Sequence, residues 1–496
     1  MPNVKPLFVL LWMLSAYTGT VAQVLEVGPG KPFSQITQAA AVAQPGDTIL
    51  VAPGTYSGGM FINQLQGLPG QWITLRGDGP DPVTIQGGNN ALQLSDPAWL
   101  LIENFRFREQ TGNGLNIDDG GSFDTPAHHV HIRRCTFEDL AVSGNNDLCK
   151  LSGLDSFRIE ECLFRNGAAG GSGIDMVGCH WGEIRENRFE NLGSNSIQAK
   201  GGTRYITIAG NVFRNGGQRT LNLGGSTGAA FFRPQGANYE AADLDVHANI
   251  IEGSWAAIAY VGSQRVRVWN NTIYQPQNWV MRILQESPDT SFYQAVADGE
   301  FVNNIVVITS GLSTTANVGP NTNAASFRFA NNLWFHQQNP NWGGPALPAP
   351  QTGSLIQVDP LFLDPASRDF RLLPGSPAIG AGHGLPLSTW RDHGGMAFLD
   401  PPSIGAWEGG MISSTDPGTS GPDIQVFPNP VRAGSMLHHR GADLQEAVLL
   451  DMQGRPLKRW LSSDPAWDLE GLSPGSYGLI LYHVSGFQTR ILQIIP

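Results

Sequence analysis

The sequence predicts an all-β chain, a long parallel β-helix followed by a small β-sandwich, and three observations lead there. A step of Asn or Cys, one variable residue and a large apolar residue recurs as Cys135-Thr136-Phe137, Cys162-Leu163-Phe164, Asn187-Arg188-Phe189, Asn211-Val212-Phe213, Asn249-Ile250-Ile251, Asn271-Thr272-Ile273, Asn304-Ile305-Val306 and Asn332-Leu333-Trp334. Asn104-Phe105 reads as its first instance. The interval of about 25 residues, lengthened where insertions enter, is that of one coil of a solenoid. Between the steps lie short alternating segments that end on glycine, such as Ile174-Asp175-Met176-Val177-Gly178 and Ile197-Gln198-Ala199-Lys200-Gly201. Composition agrees: 61 Gly, 34 Pro and only 15% charged residues describe a turn-rich β protein rather than a helical or disordered one.

In chain order, residues 1–22 have the pattern of a secretory signal peptide: Lys5, an apolar run over 7–14, then Thr20-Val21-Ala22 before Gln23. That run is too short to span a bilayer and no later stretch is long enough, so an exported, secreted or surface-located protein without a transmembrane segment is expected. Export permits disulfides, although four cysteines are too few to staple a scaffold. Over 33–43, Phe33, Ile36, Ala39, Ala40 and Ala43 share one helical face that Pro45-Gly46-Asp47 ends. A helix there would cover the open edge of the first coil.

Within the coils, the step asparagines are expected to stack as an internal ladder that satisfies backbone groups of adjacent coils. Cys135 and Cys162 take that place in successive coils, about 4.8 Å apart, a distance open both to a disulfide and to two stacked thiols. Cys149 and Cys179 have no evident partner. In the glycine-ended segments, alternation turns Asn116, Lys150, Asp175, Gln198, Asn222 and Arg282 outward in one column, and Asp118, Ser152 and Lys200 in the next. Insertions at 226–243 and 285–299 leave from the same strand end and either wall a groove beside these columns or decorate the surface.

The repeats fade over Asp359-Pro360-Leu361-Phe362, Asp369-Phe370-Arg371-Leu372, Gly375-Ser376-Pro377-Ala378-Ile379 and Ile404-Gly405-Ala406-Trp407-Glu408, which sets the β-helix domain at 23–411. A stretch rich in Ser, Thr, Gly and Pro at 412–422 reads as a linker. Residues 423–496 alternate like a small sandwich around Phe427-Pro428-Asn429-Pro430, Ala447-Val448-Leu449-Leu450-Asp451-Met452-Gln453-Gly454-Arg455 and Leu472-Ser473-Pro474-Gly475-Ser476-Tyr477.

Several resemblances attach to these motifs. The stretch AVAQPGDTILVAPGTY resembles the N-terminal cap of secreted right-handed β-helix proteins, and the 359–408 tail is similar to one that closes many exported bacterial β-helix proteins. The three C-terminal motifs, in this order, look like the sorting domain of type IX secretion substrates in the Bacteroidetes lineage. That resemblance implies transport across the outer membrane by the type IX machinery, then release or surface attachment. Where such domains commonly end on a basic residue, this chain ends Ile494-Ile495-Pro496. The coil holding Gln198-Ala199-Lys200-Gly201-Gly202 resembles alginate-lyase and chondroitinase-like β-helix proteins, polysaccharide lyases in which a Lys on one coil and an Arg on the next share a face. Gly224 stands where that Arg would be, so Arg219 or Arg282 supplies the charge or the activity differs.

A net charge of −12 argues against general nucleic-acid binding, which needs clustered Lys and Arg, yet allows an acidic polysaccharide on a local basic patch. A lyase needs cations that neutralise a uronate carboxylate, which acidifies the adjacent C–H, and a base to take the proton. Lys200 is the candidate base, with Arg219 and Arg282 as catalytic cations and Asp175, Gln198, Asn222, Arg204, Arg233 and Tyr239 as substrate contacts. Lysine is a base only when neutral, so direct contact with Asp175 would oppose the role, and a diagonal spacing of roughly 7–8 Å would leave the arginines to decide.

Two other function classes stand beside this one. A glycoside hydrolase would use Asp118 and Asp175, two coils and about 9–10 Å apart, although no Gly-His-Gly follows, only Gly178-Cys179-His180. A non-catalytic glycan binder or adhesin would hold a sugar chain on Tyr239, Phe231, Phe232 and Trp255. His128, His129 and His131 face alternate sides and support no zinc site, whereas Asp118 and Asp119 leave calcium open. A monomer is expected.

Overall fold

The computed structural model describes residues 21–409 and 425–495, apart from 288, 441–443, 451–455, 462–463, 465 and 484–485. The expected signal peptide, except its last two residues, and the expected linker lie outside the described residues. Each coil gives one strand to each of three sheets, of 15, 12 and 10 strands in the order the chain meets them. One coil, for example, runs through His180–Arg185, Arg188–Glu190 and Asn195–Lys200. From Val24–Val27 to Leu355–Ile356, consecutive coils pair in parallel. This is the parallel β-helix that the repeats predict. No helix of the described residues is long and apolar enough to cross a membrane.

The corner between the first and second sheets shows why the step recurs. The residue before it turns left-handed in coil after coil, with φ of 54° at Glu161, 56° at Glu186, 56° at Ala248 and 57° at Asn303. The next residue then points inward. Asn187, Asn211, Asn249, Asn271 and Asn304 each donate their backbone N–H to the side-chain oxygen of the asparagine one coil on, at 2.9–3.0 Å. Their side-chain amides donate to buried carbonyls such as Ile159, Ile184 and Ile208 at 2.8–2.9 Å, so these backbone groups at the corner are paired within the protein. Cys162 and Cys135 continue the line: Cys162 N–H donates to Asn187 Oδ1 at 3.0 Å, and Cys135 N–H to Cys162 Sγ at 3.4 Å. All four cysteines are buried free thiols, which decides between the two readings of Cys135 and Cys162.

Two residues further on, Phe107, Phe137, Phe164, Phe189 and Phe213 stack through the core with ring centroids 4.7–4.9 Å apart. Asn104 departs from the expected ladder. Register pairs Phe107, not Phe105, with Phe137, so Asn104 takes the left-handed position one residue early and donates to Gly77 O at 3.0 Å.

The N-terminal helix spans Ile36–Ala40, shorter than 33–43, and buries Ile36 and Ala39 against the first coils. Phe33 pairs instead with Val27.

The tail does not stop at the end of the stack. Its hairpin, Phe362–Asp364 with Asp369–Leu372, turns back along the outside. Phe362, Phe370, Ile404 and Ala406 cover the outward Ile250, Ile305, Val307 and Leu333 of the second sheet, and Trp390 covers Trp269, Val302 and Ala330 of the first. The doublets Asn270-Asn271, Asn303-Asn304 and Asn331-Asn332 explain the attachment: the second Asn serves the internal ladder, and the first reaches outward. Asn270 donates to Ser403 O at 2.8 Å, Asn303 to His383 O at 2.8 Å and Asn331 to Ala381 O at 3.2 Å. His247 is buried beneath this strap, its ring stacked on Trp390 at 4.2 Å.

Residues 425–495 form a three-stranded and a five-stranded sheet whose inner faces share one core, including Leu437, Leu449, Trp467, Leu479 and Leu492. That is the small sandwich expected of the sequence.

Candidate functional site

The outward face of the third sheet carries the predicted column. Gln93, Asn116, Lys150, Asp175, Gln198, Asn222, Ala259, Arg282 and Asn317 are successive register partners. Lys200 stands in the neighbouring column, opposite Val177.

Asp175 is the hub of the lower part and is only 1% exposed. One carboxylate oxygen is held by Lys150, and the other lies 3.2 Å from Lys200 Nζ. The diagonal gap is therefore closed, because both lysine stems are long enough to lean toward a carboxylate that burial leaves in need of counter-charge. The Lys200 contact is an ion pair without hydrogen-bond alignment at Asp175 Oδ1, and Lys200 donates to Gln198 Oε1 at 3.4 Å. Asp147 completes the cluster 3.6 Å from Lys150, and burial together with the Asp175 charge pushes its carboxyl up to about 6.

Higher on the face, Arg219 pairs with Glu286 of the second insertion and donates to Asn222 Oδ1 at 3.4 Å. Arg282 donates to Asn317 Oδ1 at 3.0 Å, and its guanidinium sits 4.4 Å from the centre of the Trp279 ring. Burial, then the nearby Arg219 charge, pulls Arg282 down from the usual guanidinium value. Across the whole strip, Lys150, Lys200, Arg219 and Arg282 face Asp118, Asp147, Asp175 and Glu286, a balance of charge on an otherwise acidic protein.

The two insertions rise together at the strand ends beside Lys200. Phe232 packs on Tyr293 with centroids 5.6 Å apart, and Gln294 N–H donates to Asn238 O at 2.9 Å. Both are tied to the coil by the buried Glu240, which accepts from Gly201 N at 2.9 Å, Thr227 N at 2.8 Å and Ser287 Oγ at 3.4 Å. Gly225 lets the first insertion cross the lysine: a Cβ there would lie 2.9 Å from Gln198 Nε2 and 3.1 Å from Lys200 Cβ.

Arg233, Arg204 and Tyr239 sit apart from this face, whereas Asp118 lies on it in the Lys200 column, held by its neighbours. Arg233 is buried, with two 2.6 Å hydrogen bonds to Asp155 and one of 2.9 Å to Gly178 O, so it anchors the first insertion. Arg204 belongs to the first sheet, 3.4 Å from the Tyr239 hydroxyl and over the Tyr205 ring at 4.1 Å. Asp118 accepts from Ser95 Oγ at 2.8 Å and Gly120 N at 2.9 Å as well as from Gln93. His131 meets Glu160 at 2.8 Å, whereas His129 stacks on Trp99 at 3.8 Å. Among the described residues, no three His, Cys, Asp or Glu side chains gather as a metal site, so calcium finds no third acidic ligand at Asp118 and Asp119.

Sequence reasoning missed Asp147, Glu240, Glu286 and Trp279. Asp147 and Trp279 were within reach, since each stands three residues before a column member, at the place Arg219 takes before Asn222. Glu240 and Glu286 lie in insertions, where no periodicity positions a side chain.

A family model described as right handed beta helix region matches residues 90–273. No curated protein matches the chain. Among solved structures, the pectate lyase Pel9A superposes with a TM-score of 0.51 at 15% identity, over 79% of this chain and 97% of its own. An alginate lyase from Paenibacillus sp. str. FPU-7 gives 0.38 at 17% identity over 61% of this chain and 97% of its own, and XylC in complex with xylose gives 0.46 at 12% over 78% and 98%. At such identities the likeness to Pel9A is one of architecture: the chain is an all-β, right-handed parallel β-helix.

Proposed function

We propose that this is an exported carbohydrate-active protein that cleaves an acidic, uronate-containing polysaccharide by β-elimination on the third-sheet face. The observation that carries the reading is the convergence of Lys200, Arg219 and Arg282 on one polar strip beside the two joined insertions. Arg219 and Arg282 would neutralise the uronate carboxylate and so acidify the C–H beside it. Lys200, in its neutral form, would take that proton, the C–O bond at the β-carbon would break as the C=C bond forms, and the resulting ammonium would return the proton to the leaving sugar oxygen. Asp175 is hydrogen-bonded to Lys150, whereas its Lys200 contact lacks hydrogen-bond alignment, so a turn of Lys200 toward substrate breaks an ion pair only. Gln198 and Asn222 would orient sugar hydroxyls. The hydrolase pair is disfavoured because Asp175 is buried between two ammonium groups and Asp118 is fully occupied by neighbours.

One observation favours a second reading, a surface glycan binder that breaks no bond: Lys200 Nζ is already engaged by Asp175 at 3.2 Å. Incubation with polygalacturonate, alginate and hyaluronan, followed by absorbance of the unsaturated product, separates the two. Product from wild type and none from Lys200→Ala supports elimination. Binding without product on all three supports the binder.

The same reading includes delivery. The C-terminal sandwich would address the chain to the type IX machinery, with residues 1–22 directing the earlier inner-membrane step.

A further inference from the structure

We infer that a second carbohydrate subsite lies at the opposite end of the same strands, where Trp255 offers an indole face to one pyranose ring of the chain that crosses the polar strip. A cavity of about 480 Å³ opens there, lined by Leu192, Gln218, Trp255 and Gln277 among others. That size lies within the roughly 300–1,000 Å³ of small-molecule sites. Trp255 is 47% exposed although its backbone is fixed: its N–H donates to Gly217 O, and its carbonyl accepts from the amides of Asn278 and Trp279, each at 3.1 Å. An exposed aromatic on a rigid corner is held ready for a ligand at little entropic cost.

The chemistry around the ring narrows the ligand. No charged side chain lines the cavity. The side-chain amides of Gln218 and Gln277 have no protein partner among the described residues and both donate and accept, which suits sugar hydroxyls. Trp255 meets Trp279 edge-on with centroids 6.1 Å apart, and Trp279 carries Arg282 over its face at 4.4 Å. The aromatic corner therefore leads directly into the polar strip. Lys200 lies roughly 20 Å away along the strand direction, so one molecule reaches both places only as an oligomer of several units. The subsite rests on the polysaccharide reading above and assigns it a polymeric rather than a small substrate.

The test is calorimetric titration of the full chain with polygalacturonate, alginate and hyaluronan, with dextran as a neutral control, for wild type, Trp255→Ala, Trp255→Phe and Gln277→Ala. Trp255→Ala is expected to weaken binding of the recognised uronan about tenfold, with Trp255→Phe between it and wild type. Gln277→Ala should weaken it severalfold. Where Trp255→Ala is less stable, Trp255→Phe and Gln277→Ala decide in its place. Wild-type affinity in Trp255→Ala, or in both other cavity variants, overturns the subsite and leaves the uronan reading standing. Absence of wild-type binding to all three uronans overturns both.

Discussion

Asp175 stands between two lysines and shares its carboxylate unequally, with Lys150 in close contact on one oxygen and Lys200 Nζ 3.2 Å from the other. Lys200 is also more enclosed than an outward column position suggests, its side chain 16% exposed. Lys150→Ala should therefore destabilise the fold by about 3 kcal/mol, since it removes the nearer counter-charge of a buried carboxylate. Lys200→Ala should cost about 1 kcal/mol or less, because Lys150 remains, while product formation is lost. Denaturant midpoints for the two variants check the order, and a larger loss in Lys200→Ala would reverse the assignment of partners.

Asp147 supplies a pH signature. Its folded value of about 6 exceeds the ordinary carboxylate value of about 3.9, so its favourable contribution is complete below about pH 3.9 and is lost as pH rises through 6. Asp147→Asn should keep the 2.8 Å hydrogen bond from Ser172 N–H, and should be more stable than wild type at pH 7 with little difference at pH 4. Chemical denaturation at the two pH values measures the crossover.

The asparagine ladder is predicted to be a main source of coil stability. Asn249 accepts from Asn211 and donates to Ile208 O, His247 O and Asn271 Oδ1, all buried. Asn249→Ala should cost about 2–4 kcal/mol by leaving several of these groups unpaired. Cys162→Asn, which extends the amide ladder by one rung, should raise stability.

The ladder, the three-sheet coil and the polar column could all be read from the chain because they repeat, and a repeat exposes both inward phase and outward phase. Asn104 was misplaced by one residue because Asn also favours the left-handed corner next to the ladder, and the motif alone does not separate those two uses. The Asp175–Lys200 contact was illegible for another reason. Backbone register fixes Cα spacing, whereas long side chains close gaps according to burial. The insertions, with Glu240 and Glu286, carry no period, and the partners of Arg233 lie up to 110 residues away in sequence.

Acid should loosen the external strap. Burial lowers His247 to about 3, whereas the unfolded chain binds a proton near 6.5, so stability complete above about pH 6.5 is lost as pH falls toward 3. The slope approaches about 1.4 kcal/mol per pH unit. His247→Phe keeps the stack on Trp390 and should flatten that slope in acid titrations followed by tryptophan fluorescence.

Removal of 423–496 should leave the solenoid folded and hold it in the periplasm, because the sandwich has its own core. Fractionation of cells that produce the truncated chain checks this, and normal surface delivery would contradict the sorting role.

The strap grips the solenoid through the corners of Asn270, Asn303 and Asn331 and packs against strands from His247 onward. Everything before that point is measured by neither the strap nor its clips. Coils near the N-terminus can thus be duplicated or lost as whole units, provided the Ile36–Ala40 cap still meets a first coil. The length of the molecule is an adjustable quantity, while the span that carries Lys200, Arg219 and the insertions keeps a fixed distance from the end that locks it.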